Sequence, residues 1–323
     1  MSDPKLVSVI IPTFNRRALL EQAIQSVLNQ TYINIEVMII DDCSTDDTAS
    51  YVQSISDTRV RYFRNEQTLF APESRNVGIL KAEGDFIAFL DDDDKWLPTK
   101  LERQIPLFDD EAIGLVYSSI TLFYEDYNFS YNTTPQMEGA IYKDMLIKNY
   151  IGGTVSVVVR KEHLNSLGSQ TFFDLDFPAR EEYDLWIRLS RICQVKFVSE
   201  PLVVAYYRNN ISRISSDVSN YERAITLLNS KYAEIITRNL TEAEIQTRIF
   251  NQNFFLGSQS IKIGNPKLAR KYYFRAFMGK KSPKALVSFI LSFFGAKIVI
   301  MSKYYFDKYL GVGVAHAPSN TQR

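Results

Sequence analysis

The sequence predicts an α/β fold: a mostly parallel sheet flanked by helices, followed by an α-helical C-terminal region. Three observations lead there. Short β-branched runs alternate with segments of helical spacing, the pattern of βαβ units. Two of those runs stop abruptly in aspartates, Asp41-Asp42 and Asp91 to Asp94. From about residue 215 onward the pattern is helical only.

Leu6 to Ile11 is a β-branched run closed by Pro12, a first buried strand. Arg16 to Gln30 carries Leu19, Leu20, Ala23, Ile24, Val27 and Leu28 at helical spacing, so one face is buried. Ile35 to Ile40 is a second strand, and Ser44 to Asp47 is rich in N-cap residues for the helix after it. Val60 to Phe63 is a third strand. Ser74 to Ala82 reads as a helix with Gly84 near its C-cap. Phe86 to Leu90 is a fourth strand, Pro98 starts a helix through Phe108, and Ile113 to Phe123 is a fifth strand. Tyr124 to Glu138 is polar, aromatic and irregular. Ile141 to Asn149 is helical, Gly152-Gly153 is a break, and Val155 to Val159 is a strand. Arg180 to Cys193 is a helix, with Leu185, Trp186 and Leu189 as core, and Val195 to Val198 and Leu202 to Tyr206 are two short strands. Four helices follow: Tyr221 to Arg238, Thr241 to Ile263, Pro266 to Met278 and Pro283 to Tyr309.

Composition narrows the function. Lys plus Arg and Asp plus Glu both count 37, so no global field suggests nucleic acid. Two cysteines, Cys43 and Cys193, fit no disulfide framework and read as free core thiols in a reducing cytoplasm. Two histidines, His163 and His316, argue against a His-rich zinc site and a Ser-His-Asp triad. Met1 to Lys5 is short and polar, unlike a signal peptide, so the expected location is cytoplasmic.

The acidic clusters carry the chemistry. Ligands of open α/β sheets bind at the carboxyl ends of the strands, beside helix N-termini that attract phosphate. Aspartates there repel phosphate but can hold a hard divalent cation that binds it. Asp91 and Asp93 are two apart, so in an extended segment both would face one ion or one sugar. Mn²⁺ or Mg²⁺ with a nucleoside diphosphate is the simplest ligand. Arg75 is a candidate phosphate fork, with a surface ion pair as the alternative.

Four stretches also resemble a known family: Val7-Ser-Val-Ile-Ile-Pro-Thr-Phe-Asn-Arg16, Ile39-Ile-Asp-Asp-Cys-Ser-Thr-Asp46, Ser74-Arg-Asn-Val-Gly78 and Phe89-Leu-Asp-Asp-Asp-Asp-Lys-Trp96. In order and spacing they resemble the family 2 glycosyltransferases of the GT-A (Rossmann-like) fold, and the resemblance covers roughly residues 5–215. It implies an inverting, nucleotide-sugar-dependent enzyme. Pro12 and Thr13 would line the nucleoside pocket, and Asp42 would accept a hydrogen bond from the uracil ring NH. Arg75 would lie near the diphosphate, Asp91 and Asp92 near ribose or donor sugar, and Asp93 on the metal, with Asp91 as its second candidate. Asp94 reads as a helix cap. Arg180-Glu-Glu-Tyr-Asp-Leu-Trp-Ile-Arg188 resembles the family's base-carrying helix. The usual Asp falls on Glu182, which makes Glu182 the base and Glu181 and Asp184 its rivals. A histidine common in relatives is replaced near Asn209-Asn210, where Arg208 could take over part of its role.

The expected organisation is a catalytic unit over 1–215, a helical region over 216–310 and a flexible tail over 311–323. The expected reaction moves a sugar from a UDP-sugar to a hydroxyl of a saccharide or lipid-linked saccharide acceptor in cell-surface polysaccharide synthesis. The alternatives are a sugar-nucleotide nucleotidyltransferase, against which stands the absence of glycine in Pro12 to Arg16, and a non-catalytic nucleotide-sugar-binding module. The helical region would pack on the catalytic unit, form a homodimer, or lie on the inner face of the cytoplasmic membrane through residues 283–309, flanked by Lys280, Lys281, Lys284, Lys303 and Lys308.

Overall fold

The computed structural model describes residues 5–168, 171–208 and 217–309, with side chains as far as residue 302. The Asn209-Asn210 segment, residues 311–323 and the side chains of Lys303 and Lys308 lie outside the described residues.

The chain opens with β1 (Val7–Thr13), α1 (Arg17–Leu28), β2 (Ile35–Asp41), α2 (Thr48–Gln53), β3 (Val60–Arg64), α3 (Phe70–Lys81) and β4 (Phe86–Phe89). Next come β5 (Lys95–Trp96), α4 (Lys100–Gln104), β6 (Ile113–Tyr124), β7 (Phe129–Asn132), α5 (Tyr142–Ile147) and β8 (Val158–Arg160). Then follow α6 (Lys161–Asn165), α7 (Glu181–Ser190) and β9 (Gln194–Tyr207). The C-terminal helices are α8 (Val218–Lys231), α9 (Ala233–Asn239), α10 (Glu242–Lys262), α11 (Pro266–Lys280), α12 (Pro283–Leu291) and α13 (Ala296–Tyr309).

One sheet runs in the order β3-β2-β1-β4-β8-β6-β9-β5, with β7 paired to β6. β1 to β4 are parallel, as the βαβ rhythm requires, and β6 is parallel to β9. β8 is antiparallel to both β4 and β6. Alternation along the central strands splits the core in two. Ile10, Met38, Ile40, Ile87 and Phe89 point into one layer. Val9, Ile11, Val37, Ile39 and Ala88 point into the other. α3, α5 and α7 cover the first layer, and α1 and α4 cover the second.

Several boundaries differ from expectation. The two strands expected around Glu200-Pro201 are one strand, β9, whose register against β6 shifts at Ser119 and Pro201. Proline cannot donate to the ladder, which is why its sequence looks broken. The irregular excursion after Phe123 holds a short strand, β7. The expected helix over Tyr221 to Arg238 is two, α8 and α9. The last expected helix is also two, α12 and α13, because Gly295 turns the chain at φ +104°. Gly84 lies two residues past Ala82, the C-cap of α3. A Cβ at Gly84 would lie 2.6 Å from Ser8 Oγ and 2.7 Å from the Leu6 carbonyl oxygen, so glycine lets β4 start against β1. Both cysteines are free, Cys193 buried and Cys43 half-buried.

Candidate active site

A cleft of ≈2120 Å³ opens at the carboxyl edge of β1, β2 and β4. The strand ends supply Thr13, Asp42 and Asp91 to Asp93 as one wall, and Glu181, Glu182 and α10 supply the other. Thus the two aspartate clusters do emerge together, as a parallel sheet dictates.

The four aspartates do not lie extended. They form a turn in which the Asp94 amide donates to the Asp91 carbonyl at 3.1 Å. Like charges in so short a stretch repel, and the turn distributes them to separate partners. Asp91 receives Arg75 Nη2 at 2.7 Å. Asp92 is buried and accepts from Thr13 Oγ1 at 2.9 Å and from Arg16 Nη1 at 3.1 Å. Asp93 lies 3.7 Å from that same Arg16 nitrogen. Asp91 and Asp93 therefore face different cations rather than one shared side. Asp94 is no helix cap: it accepts from the Tyr206 amide at 3.0 Å, and α4 begins later, with Thr99 at its N-cap. Burial raises Asp92 to about 6, with Asp93 adding and Arg16 opposing.

The donor-side residues are equally specific. Asp42 accepts from Asn65 Nδ2 at 2.9 Å and from the amides of Leu69 and Phe70 at 2.7 and 2.8 Å. A carboxylate has roughly four lone-pair sites, so about one is left for a ligand. Phe70 holds φ +63°, a left-handed conformation unusual for an aromatic residue, at the rim of the cleft. Arg75 is buried and is not an open fork. It bridges Asp91 and Glu181, the latter at 3.3 Å, and its Nε has no partner. Burial opposes its charge, but Asp91, Glu181 and Glu182 outweigh it and raise its pKa.

α7 sorts the rival bases. Its acidic first turn suits the positive end of the helix dipole. Leu185, Trp186 and Leu189 are fully buried, and Trp186 Nε1 donates to the Gly152 carbonyl at 3.0 Å. Asp184 is fully buried away from the cleft, held by Arg188, Lys231 and the Tyr232 hydroxyl, each at 2.8 Å. Glu181 and Glu182 line the cleft. Glu182 is raised to about 7, first by burial and then by the neighbouring Glu181 charge. Asn149 Nδ2 stands 3.5 Å from its Oε1.

The described residues contain no group of three or more carboxylate, histidine or cysteine ligands placed around one point. The acidic turn still suits Mg²⁺ or Mn²⁺, hard cations held by one or two carboxylates and completed by water and substrate phosphates.

Residues 8–167 match the model of glycosyl transferase family 2. The chain is also 33% identical over 215 residues to the UDP-Glc:alpha-D-GlcNAc-diphosphoundecaprenol beta-1,3-glucosyltransferase WfgD of Escherichia coli, covering 67% of this chain and 81% of the relative. The chain belongs to glycosyl transferase family 2. Among solved structures, S. aureus TarS 1-349 in complex with UDP-GlcNAc superposes with TM-score 0.53 at 14% identity, over 93% of this chain and 92% of that one. The mannosyltransferase PcManGT from Pyrobaculum calidifontis in complex with GDP-Man and Mn²⁺ gives TM-score 0.53 at 14% identity, over 95% and 89%. These likenesses establish the GT-A fold.

This family 2 transferase has site residues that sequence reasoning missed. Arg16 stood inside a motif without a role, yet it neutralises Asp92 and Asp93. Arg180 holds φ +62° at the N-cap of α7, between the rings of Tyr183 and Phe255 at 4.6 and 4.3 Å. Tyr124 stacks on Tyr207 at 4.9 Å and on Tyr131 at 6.1 Å, making an aromatic wall. Lys262 from α10 donates to the Tyr207 hydroxyl at 3.0 Å. Nothing in local periodicity pairs Lys262 with Tyr207; only the packing of α10 does. Arg208, proposed from sequence, does reach the acidic turn, with Nη1 3.4 Å from the Asp93 carbonyl oxygen.

Proposed function

We propose that this glycosyltransferase catalyses an inverting transfer from a UDP-sugar to a hydroxyl of a lipid-linked saccharide, in cell-surface polysaccharide synthesis. The observation that carries the reading is the pairing of Glu182 with the acidic turn. A half-buried carboxylate raised to about 7 faces the same cleft as Asp91 to Asp93. A general base is most effective when its pKa lies near the working pH. The glucosyltransferase name of the Escherichia coli relative supports both the UDP donor and the diphosphoundecaprenol-linked acceptor.

In this reading Asp42 accepts the ring NH of the base, with Pro12 and Thr13 beside the nucleoside. Asp91 and Asp92 contact ribose or donor sugar. Arg75 fixes Asp91 and Glu181, and through them the two walls of the cleft. Asp93, or Asp91 as the second candidate, would hold Mn²⁺ or Mg²⁺, which when bound would neutralise charge on the leaving diphosphate. Glu182 accepts the proton of the acceptor hydroxyl as that oxygen attacks the anomeric carbon from the face opposite the diphosphate. One displacement inverts the configuration, and no covalent enzyme intermediate forms. The tyrosine wall, which also lines the cleft, offers aromatic faces on which a sugar ring would stack.

The test is thermal stabilisation by a panel of sugar nucleotides with Mn²⁺, followed by transfer with the best donor. UDP-sugars should raise the unfolding temperature, and Asp93→Ala should abolish the Mn²⁺-dependent part and the turnover. Stabilisation without any transfer or donor hydrolysis would favour a binding module. Full activity of Asp93→Ala would remove the metal assignment.

A further inference from the structure

Residues 266–302 contain eight Lys and Arg residues and no Asp or Glu. The whole chain sums to zero, so the remainder carries eight net negative charges. This charge is gathered on α11 to α13 and their connections. Lys267, Lys271, Phe274, Arg275 and Met278 are exposed and recur at the spacing of one face of α11. The turn between α12 and α13 presents Phe293 and Phe294, 62% and 67% exposed. Gly295 shapes that turn. The two surfaces are continuous: Phe274 meets the Phe289 ring at 5.6 Å, Phe289 meets Phe293 at 5.4 Å, and Arg270 lies over Phe293 at 4.6 Å. Ile290 and Ile298 extend the apolar exposure on α12 and α13.

We infer that this face is a docking surface for an anionic lipid bilayer. Phe293 and Phe294 enter the interface, and the α11 cations meet the lipid head groups. Exposed aromatic tips, one of them under Arg270, on a stretch whose residues 266–302 hold cations and no acid are the chemistry of interfacial binding, each cation near the surface adding to the attraction. Among the described residues no helix is long and apolar enough to cross a membrane, so the contact is peripheral. A second copy is the poorer occupant: a two-fold interface would set this cationic face against itself. The placement also serves the cleft. Lys284 of α12 and Ile300 of α13 line it, so the helices that rest on the lipid form part of its wall. The surface does not depend on the sugar-transfer reading, because binding is read without substrate.

The test is flotation of the full chain with phosphatidylcholine vesicles, with and without 30% phosphatidylglycerol. Binding should require phosphatidylglycerol and fall at least tenfold between low and 0.5 M salt. Phe293→Ser/Phe294→Ser and Lys271→Glu/Arg275→Glu should each weaken it about tenfold or more, while unfolding temperature and UDP-sugar stabilisation stay unchanged. Three outcomes would overturn the inference. One is no binding to the anionic vesicles at low salt. Another is binding untouched by both double variants. The third is a shift from dimer to monomer, or loss of binding to a single-stranded oligonucleotide, as the effect of the substitutions in place of lost vesicle binding.

Discussion

Burial and two charged neighbours set the pKa of Glu182. Burial and the Glu181 charge raise it, and the Arg180 guanidinium opposes them. In the proposed mechanism Glu182 works as the carboxylate, so turnover should fall as pH drops through about 7, by about tenfold per unit below it. The two neighbours give opposite signs. Glu181→Gln removes a like charge and should move this acid limb to lower pH. Arg180→Gln removes a favourable cation and should move it to higher pH. A pH-rate series on both variants checks the pair, and shifts in the same direction would displace Glu182 from its role. Glu182→Gln itself should cost about 10²-fold or more in turnover and spare UDP-sugar binding. At this scale the sequence exposed the acidic motifs but not their partners. Arg75 and Asp91 are 16 positions apart, Arg16 and Asp92 are 76, and Arg75 and Glu181 are 106. No periodicity links such positions.

Among the elements, α7 shows how one short helix separates structure from chemistry. Its buried face carries Leu185, Trp186 and Leu189, worth about 1.5–3 kcal/mol each in apolar burial. Asp184 ties it to α8 and Tyr232, while Glu181 and Glu182 turn to the cleft. Asp184→Ala leaves Lys231 and Tyr232 without their buried partner and should destabilise the fold by about 2 kcal/mol. Thermal unfolding checks this, and the acid limb of the pH profile should stay in place. A dead but fully stable Asp184→Ala enzyme would restore Asp184 as a base. The helix was legible from spacing alone; which of its three first-turn acids faces the cleft was not. Where β9 passes Pro201 the reverse holds. The proline made one strand look like two, because the ladder of β6 that carries the chain across the irregularity is not a local signal.

Across the whole molecule the helical region and the sheet share their cores. α8 and α9, with Tyr232 and Leu240 at their ends, put Ala224, Leu228, Tyr232, Ile236 and Leu240 into the layer that holds Ile10 and Phe89. α10, α11 and α13 add Ile261, Ala269, Tyr273, Val299 and Ile300 to the layer that holds Val9 and Ile11. Arg248 of α10 donates from the interior to the Leu146 carbonyl. Removing residues 216–323 would expose both sets. Their burial is comparable with the roughly 5–15 kcal/mol net stability of a domain. The 1–215 fragment is therefore expected to be insoluble or unfolded by circular dichroism. A folded fragment that still binds UDP would show that the helices are an accessory.

The sequence by itself determined the α/β class, the strand ends that carry acid and the helix that carries Glu181, Glu182 and Asp184. All of these are local: side-chain period, residue type and the order of motifs decide them. Only the tertiary structure decided which partners each carboxylate has. It gave Asp91 to Arg75, Asp92 to Thr13 and Arg16, Asp94 to the Tyr206 amide and Asp184 to Lys231. It left Glu182 half-buried in the cleft wall, beside another carboxylate, with its pKa raised to about 7. The reason is physical: a carboxylate's role depends on desolvation and on the charges packed around it, and those come from residues far away along the chain.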